Sequence, residues 1–215
     1  MTTPTKYRLI SSAGQITAVV TDSVSVVLQA TIAQSIMTDD CRVEQVGFLS
    51  GTNFRMMGGE LSINALLAAA FLLNESGQVN EYSFTTNQST ITLSLPTSLI
   101  ISVQDNLVKL RGINYQIVEG IPSSTVISPP IKTRLRKLAA DSLAAGLIYY
   151  QGSVIKPLVY VPATSSYVWE NACGSGSLAF SLVTSIRQVT QPSGQNISFD
   201  ITNSQINVTT TVKEV

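Results

Sequence analysis

Cys173 is the residue whose neighbours best suit it to chemistry. It lies in Trp169-Glu170-Asn171-Ala172-Cys173-Gly174-Ser175-Gly176-Ser177, and the apolar run 178–183 that follows predicts a loop turning into a helix at the thiol. Backbone N–H groups at a helix start lack intrahelical acceptors, so they can hold a carboxylate and lower the pKa of a cysteine beside them. The glycines allow that backbone to approach a ligand closely. A lone buried cysteine is most often an inert small hydrophobe; the flanking glycines and the helix favour a functional reading. The chain contains no histidine. That excludes a Ser-His-Asp triad, a Cys-His dyad and a His-ligated metal, and leaves thiolate, carboxylate, lysine or tyrosine as the base. Neither a metal nor an organic cofactor is implied.

A second helix opens in a similar way. Gly58-Gly59-Glu60-Leu61-Ser62-Ile63-Asn64-Ala65 leads into Leu66-Leu67-Ala68-Ala69-Ala70-Phe71, much as the Cys173 loop leads into its own helix, so the chain reads as internally duplicated. Helical spacing or Ala/Leu content predicts four helices, at 28–37, 62–74, 132–145 and 174–186. Short β-rich runs predict strands at 16–20, 45–49, 82–85, 90–95, 115–118, 157–161, 197–201 and 206–212. The pattern is α+β with largely antiparallel sheets. The turn-rich stretch 96–105 divides it into residues 1–104, carrying the Ser62 loop, and 105–215, carrying the Cys173 loop.

With 215 residues the chain is long enough to bury a core without staples. Its formal charge is zero, and only 12% of residues are charged against 44% hydrophobic, so much of it belongs in interiors or interfaces. Lys132, Arg134, Arg136 and Lys137 have the spacing of the wet face of a helix, which argues against nucleic-acid binding. The N-terminal residues lack the pattern of a signal peptide, and the apolar stretch 66–73 is too short to span a bilayer. A soluble, cytoplasmic protein with no membrane partner is expected. Two cysteines, Cys41 and Cys173, suit a reducing compartment; Cys41 reads as structural.

The Cys173 loop resembles the second catalytic cysteine loop of the diaminopimelate epimerase superfamily, which carries Ala-Cys-Gly-Ser/Thr-Gly there. Other segments follow in order: Ala13-Gly14-Gln15-Ile16-Thr17 is similar to the family's Gly-Asn-Asp strand, Val43-Glu44-Gln45-Val46-Gly47-Phe48 to its Asp-Gln segment, and Gln191-Pro192-Ser193-Gly194 to its late Pro-Gly-Gly turn. Glu60-Leu61-Ser62-Ile63-Asn64-Ala65 stands where the family has Cys-Gly-Asn-Ala. Within the superfamily the resemblance points to the histidine racemases of opine-metallophore pathways, through Glu44-Gln45-Val46-Gly47-Phe48 and Pro157-Leu158-Val159-Tyr160-Val161-Pro162 before the Cys173 loop. It covers nearly the whole chain, and the middle, 105–130, matches poorly.

The resemblance implies two pseudo-symmetric halves, each a mostly antiparallel sheet or barrel wrapped around a central helix. It implies a cofactor-independent amino-acid racemase or epimerase, with a histidine-like substrate among the candidates. One thiolate would remove the α-proton and the opposite thiol would return one to the other face. Gln15, Gln45, Asn64, Ala65, Glu170, Gly174 and Ser175 become the expected substrate contacts, and a homodimer fits both the family and the apolar composition.

Two positions depart from that pattern. Ser62 takes the place of the first cysteine, and a hydroxyl is a far weaker acid than a thiol unless a base adjoins it. Ile63 replaces a glycine and adds bulk where a ligand is expected. Three readings follow: a racemase in which Ser62, a natural or engineered replacement, impairs one of two bases; a one-base isomerase or dehydratase using Cys173; and a small-molecule-binding protein that has kept the fold without the chemistry.

Overall fold

The computed structural model describes residues 6–74 and 77–215; residues 1–5, part of the stretch read for a signal peptide, lie outside it. In chain order, β1 (Tyr7–Ser12) and β2 (Gln15–Val20) form a hairpin, and α1 (Val26–Asp39) crosses to β3 (Gln45–Ser50), parallel to β2. β3 turns into β4 (Asn53–Met56), followed by α2 (Ile63–Leu73), β5 (Gly77–Val79), β6 (Tyr82–Asn87) and β7 (Thr90–Pro96). A 3₁₀ turn, Thr97–Leu99, leads to β8 (Ile100–Gln104), β9 (Leu107–Leu110) and β10 (Ile113–Glu119). Next, α3 (Pro129–Leu138) crosses to β11 (Ala144–Gln151), parallel to β10, and β12 (Val154–Val161) and β13 (Ser166–Trp169) precede α4 (Gly174–Thr184). The strands β14 (Gln188–Thr190), β15 (Asn196–Ile201) and β16 (Gln205–Glu214) complete it.

The two halves repeat one plan. Each has a strand, a crossing helix and a parallel strand (β2-α1-β3 and β10-α3-β11), then a tight hairpin (β3-β4 and β11-β12). Those hairpins turn at Gly51 (φ 58°) and Gly152 (φ 60°), a left-handed backbone that glycine adopts without the Cβ penalty. Each half then inserts an 11-residue helix, α2 or α4, C-capped by a left-handed residue, Asn74 or Ser185. Residues 63–70 of α2 and 174–181 of α4 are all buried, as befits helices with no wet face that sheets enclose. The enclosing strands alternate buried and exposed positions, as in β6 and β7.

The halves are joined by strands rather than by a loop. β7 and β16 pair antiparallel from Thr90↔Thr211 to Pro96↔Gln205, and the end of β16 continues onto β1 through Ile10↔Glu214. The 96–105 stretch, read as turn-rich, holds the 3₁₀ turn and β8, which pairs with β9.

The helix expected at 132–145 is shorter and earlier. α3 ends at Leu138, and Ala144 and Ala145 open β11 in register with Ile113 and Asn114. Sheet pairing overrides the helix propensity of alanine there, because the small side chains fit a strand buried on both faces. Cys41, read as structural, is exposed rather than packed.

Candidate active site

The loop-to-helix transitions anticipated at residues 62 and 173 are helix N-caps of matching geometry. Ser62 (φ −123°, ψ 111°) caps α2, and its Oγ accepts the Ala65 N–H at 3.3 Å. Cys173 (φ −143°, ψ 100°) caps α4, and its Sγ accepts the Gly176 N–H at 3.3 Å. Side-chain acceptors at this position satisfy one of the orphan donors of the first turn.

The two helix starts abut. The Ile63 N–H donates to Ser175 Oγ at 3.1 Å, and Ser175 Oγ donates to Leu61 O at 3.1 Å. A Cβ placed on Gly174 would lie 2.9 Å from Ile63 Cβ, so glycine is what permits this approach. Ile63 is fully buried against that junction, and its bulk goes there rather than toward the cleft.

Between the caps lies a cleft of about 20 Å³ lined by Ser62, Gln15, Gln45, Gly174, Ser175, Glu170 and Cys173, all of them anticipated from sequence. Asn64 and Ala65 sit inside α2 and do not line it: Asn64 Nδ2 donates to Ser12 O at 3.1 Å, and the Ala65 N–H is taken by Ser62. Trp169 also lies outside the lining, its Nε1 donating to Thr125 O at 2.7 Å. Asn114 donates to Leu138 O and to Asp141, and it too lies outside the lining.

Sequence reasoning missed Tyr115, Glu60 and the wall role of Glu44. The Tyr115 hydroxyl lies 3.6 Å from Cys173 Sγ, and room for its ring depends on Gly146, where a Cβ would fall 2.4 Å from Tyr115 Cε1. Glu44 joins the halves: its Oε2 accepts the Asn171 N–H at 2.6 Å and its Oε1 accepts Asn171 Nδ2 at 2.9 Å. Gln191, from the late turn, accepts the Cys173 N–H at 2.9 Å and donates to Ser177 Oγ, holding the loop in place.

The hydrogen-bond chain Ser62–Gln45–Gln15 runs along the opposite wall. Ser62 Oγ donates to Gln45 Oε1 at 2.8 Å, and Gln45 Nε2 donates to Gln15 Oε1 at 3.1 Å and to Thr17 Oγ1 at 2.8 Å. Three buried polar atoms of the lining have no partner among the described residues: Gln15 Nε2, Glu60 Oε2 and Glu170 Oε2. Such atoms normally find a partner, and this one donor and these two acceptors belong to residues that line the cleft.

The electrostatics reverse one expectation. Burial pushes the Cys173 thiol well above its ordinary value, and the Glu170 carboxylate adds to this, so desolvation outweighs the helix start that was expected to lower it. Burial likewise pushes Glu170 up to about 8, with hydrogen bonding from Cys173 and Gln15 opposing and Glu44 and Glu60 reinforcing. Glu60 is pushed up to about 7 by burial, and Glu44 is raised by burial against the hydrogen bonds from Asn171. Among the described residues, no Lys or Arg lines the cleft. Among the described residues no group of His, Cys, Asp and Glu is arranged to hold a metal, and no helix is long and apolar enough to cross a membrane.

These shifts carry a stability consequence. Glu60 and Glu170 keep their protons in the folded state up to about 7 and about 8, whereas an unfolded glutamate releases its proton near pH ~4.3. Across that window the folded chain binds more protons, so stability falls as pH rises and levels off above the folded values. The melting temperature is expected to drop between pH 5 and pH 8.5, and Glu170→Gln to flatten the drop. An unchanged slope in that variant would remove Glu170 as its source.

Comparison with known proteins agrees with the architecture. The family described as histidine racemase CntK N-terminal domain matches residues 100–214. The histidine racemase of Fusobacterium nucleatum subsp. nucleatum is 28% identical over 167 residues, and the match covers 63% of this chain and 63% of that relative's length. Among solved structures, a predicted epimerase from Pseudomonas aeruginosa is similar with a TM-score of 0.63 at 12% identity, over 98% of this chain and 97% of that one. A phenazine-biosynthesis PhzC/PhzF protein from Clostridium difficile follows with a TM-score of 0.58 at 16% identity, over 97% and 96%. A hydroxyproline epimerase from Agrobacterium vitis, with bound trans-4-hydroxy-L-proline, has a TM-score of 0.54 at 11% identity, over 97% and 90%. At these identities the solved structures establish a common fold: paired α+β halves of the epimerase type.

Proposed function

Because this chain belongs to the histidine racemase family, we propose that it is a cofactor-independent amino-acid racemase or epimerase in which Cys173 moves the α-proton on one face of the substrate. The observation that carries this is the facing pair of N-caps, Cys173 and Ser62, across one closed cleft. The buried polar groups suit a zwitterion: Gln15 Nε2 can donate to a carboxylate, and Glu170 Oε2 can accept from an ammonium. First-turn N–H groups at Gly174 and Ser175 would meet the carboxylate and stabilise the charge that builds as the α-proton leaves.

The ammonium also addresses the raised Cys173 thiol. A cation against Glu170 and Cys173 offsets the cost of a buried negative charge, so the thiolate becomes accessible once substrate is bound. In the closed cleft there is room for about one water molecule. An amino acid therefore enters with the walls parted, and their closure excludes water from the short-lived carbanion.

Ser62 favours a second reading. Its proton goes to Gln45 and its oxygen accepts from Ala65, so nothing draws its proton away to make it a base. An enzyme with Cys173 as its sole base would shift a double bond or eliminate water instead of inverting the α-carbon.

The test is α-proton exchange by NMR in deuterated water with L- and D-histidine and a panel of other amino acids, for the native chain and Ser62→Cys. Exchange with inversion, faster in Ser62→Cys, is the expected result. Water loss or a moved double bond would establish the one-base enzyme, and silence in both proteins would overturn amino-acid racemisation.

A further inference from the structure

Resting on the racemase reading, we propose that Glu60 is the second catalytic base, acting on the face of the substrate opposite Cys173 in place of the inert Ser62 hydroxyl. The cleft wall contributed by residues 15–62 consists of Gln15, Glu44, Gln45, Met57, Glu60, Leu61 and Ser62. Only the two carboxyls and the hydroxyl could exchange a proton. Ser62 is committed to Gln45 and Ala65, and both Glu44 oxygens accept from Asn171.

Glu60 remains. The residue is 7% exposed, and although the backbone N–H groups of Gly58 and Glu60 favour its ionised form, Oε2 has no hydrogen-bond partner among the described residues. It precedes Ser62 by two residues on the segment that leads into α2, so it belongs to the Ser62 wall of the cleft. The backbone makes room for the carboxyl at Gly58, where a Cβ would lie 2.6 Å from Glu60 Oε2. Burial holds the group near neutrality, where a general acid or base works most effectively.

The proton balance closes without another reactant. The Glu60 carboxylate takes the α-proton, forming an O–H bond as Cα–H breaks, and the electron pair stays on the substrate as a carbanion stabilised at its carboxylate. The Cys173 S–H then gives its proton to the opposite face, forming the new Cα–H bond and leaving a thiolate. One negative charge has passed from Glu60 to Cys173; the reverse reaction, or proton exchange with water, restores it.

The experiment compares native chain, Glu60→Gln, Glu60→Asp and the double variant Glu60→Gln/Ser62→Cys, using each enantiomer of histidine and of the amino-acid panel in deuterated water. Optical rotation reads inversion, and NMR reads exchange. Glu60→Gln is expected to lower inversion by about 10²-fold or more while exchange persists on the one enantiomer that presents its α-hydrogen to Cys173. Glu60→Asp, which keeps a retracted carboxylate, should retain part of the inversion, and the double variant should recover it through a second thiol. Melting curves confirm folding, and Glu60→Asp serves if Glu60→Gln does not fold. Inversion at the native rate in Glu60→Gln would overturn the role of Glu60 and leave the racemase reading standing. Exchange without inversion in the native chain would also overturn it, in favour of a single base. Silence from the native chain with every amino acid would overturn the racemase reading and the proposal together.

Discussion

Cys173→Ser is expected to lower inversion, and the α-proton exchange of the enantiomer that presents its α-hydrogen to Cys173, by about two to four orders of magnitude, the usual worth of a positioned acid or base, while the fold survives. Serine is a strong N-cap, so its Oγ can keep the Gly176 N–H that Sγ now accepts, and the Tyr115 hydroxyl offers a second partner. What disappears is the group able to release and recapture a proton. Exchange in deuterated water and a thermal melt on the same preparation separate the two effects. Native exchange of that enantiomer in a folded Cys173→Ser protein would show that its proton leaves by another route.

Gly174→Ala should damage both stability and turnover. The added Cβ would lie 2.6 Å from Asn64 Oδ1 and 2.9 Å from Ile63 Cβ, and both neighbours are fully buried, so neither can swing away. Overpacking of this kind costs about 1–3 kcal/mol. The larger effect is on chemistry: forcing the starts of α2 and α4 apart moves Ser62 and Cys173 relative to each other, and a displacement of about 1 Å in a reacting geometry can cost about 10²-fold. Denaturant melts and the exchange assay would register both losses. A variant that melts and turns over as the native chain does would mean that the two helix starts are not held in register by this contact.

The comparison of sequence with structure turns on what kind of signal each residue leaves. Cys173 and Ser62 were legible because each is followed by a glycine- or alanine-rich helix start, and a helix that is apolar all round has few places to go but the centre of a sheet. Gln15 and Gln45 were legible through resemblance, and they do line the cleft. Asn64, equally polar and equally matched, turns to Ser12 O instead, because a buried amide in the first turn of an enclosed helix must take the nearest free carbonyl. Tyr115 gave no signal: an aromatic residue in a β-rich run reads as core, and it lies where the resemblance fades. Glu60 beside two glycines reads as a wet turn, and only the packing of the second half against it reveals its burial. The loss of Ala144 and Ala145 from the expected helix has the same origin, since the partner that recruits them, β10, is distant in sequence.

The pairing of β16 with both β7 and β1 imposes an order of events on the birth of the molecule. Ser12 meets Val212, and Thr90 meets Thr211, so the first barrel lacks its middle strand until more than a hundred further residues have been made. Synthesis delivers α2 and its apolar surface early, yet the sheet that should enclose it stays open until residues 205–214 have been added. Contacts this far apart form slowly, and an open sheet edge beside apolar surface invites association with other chains. The nascent first half is therefore the stage at which this fold is most open to association, and its first barrel closes only after translation has passed β16.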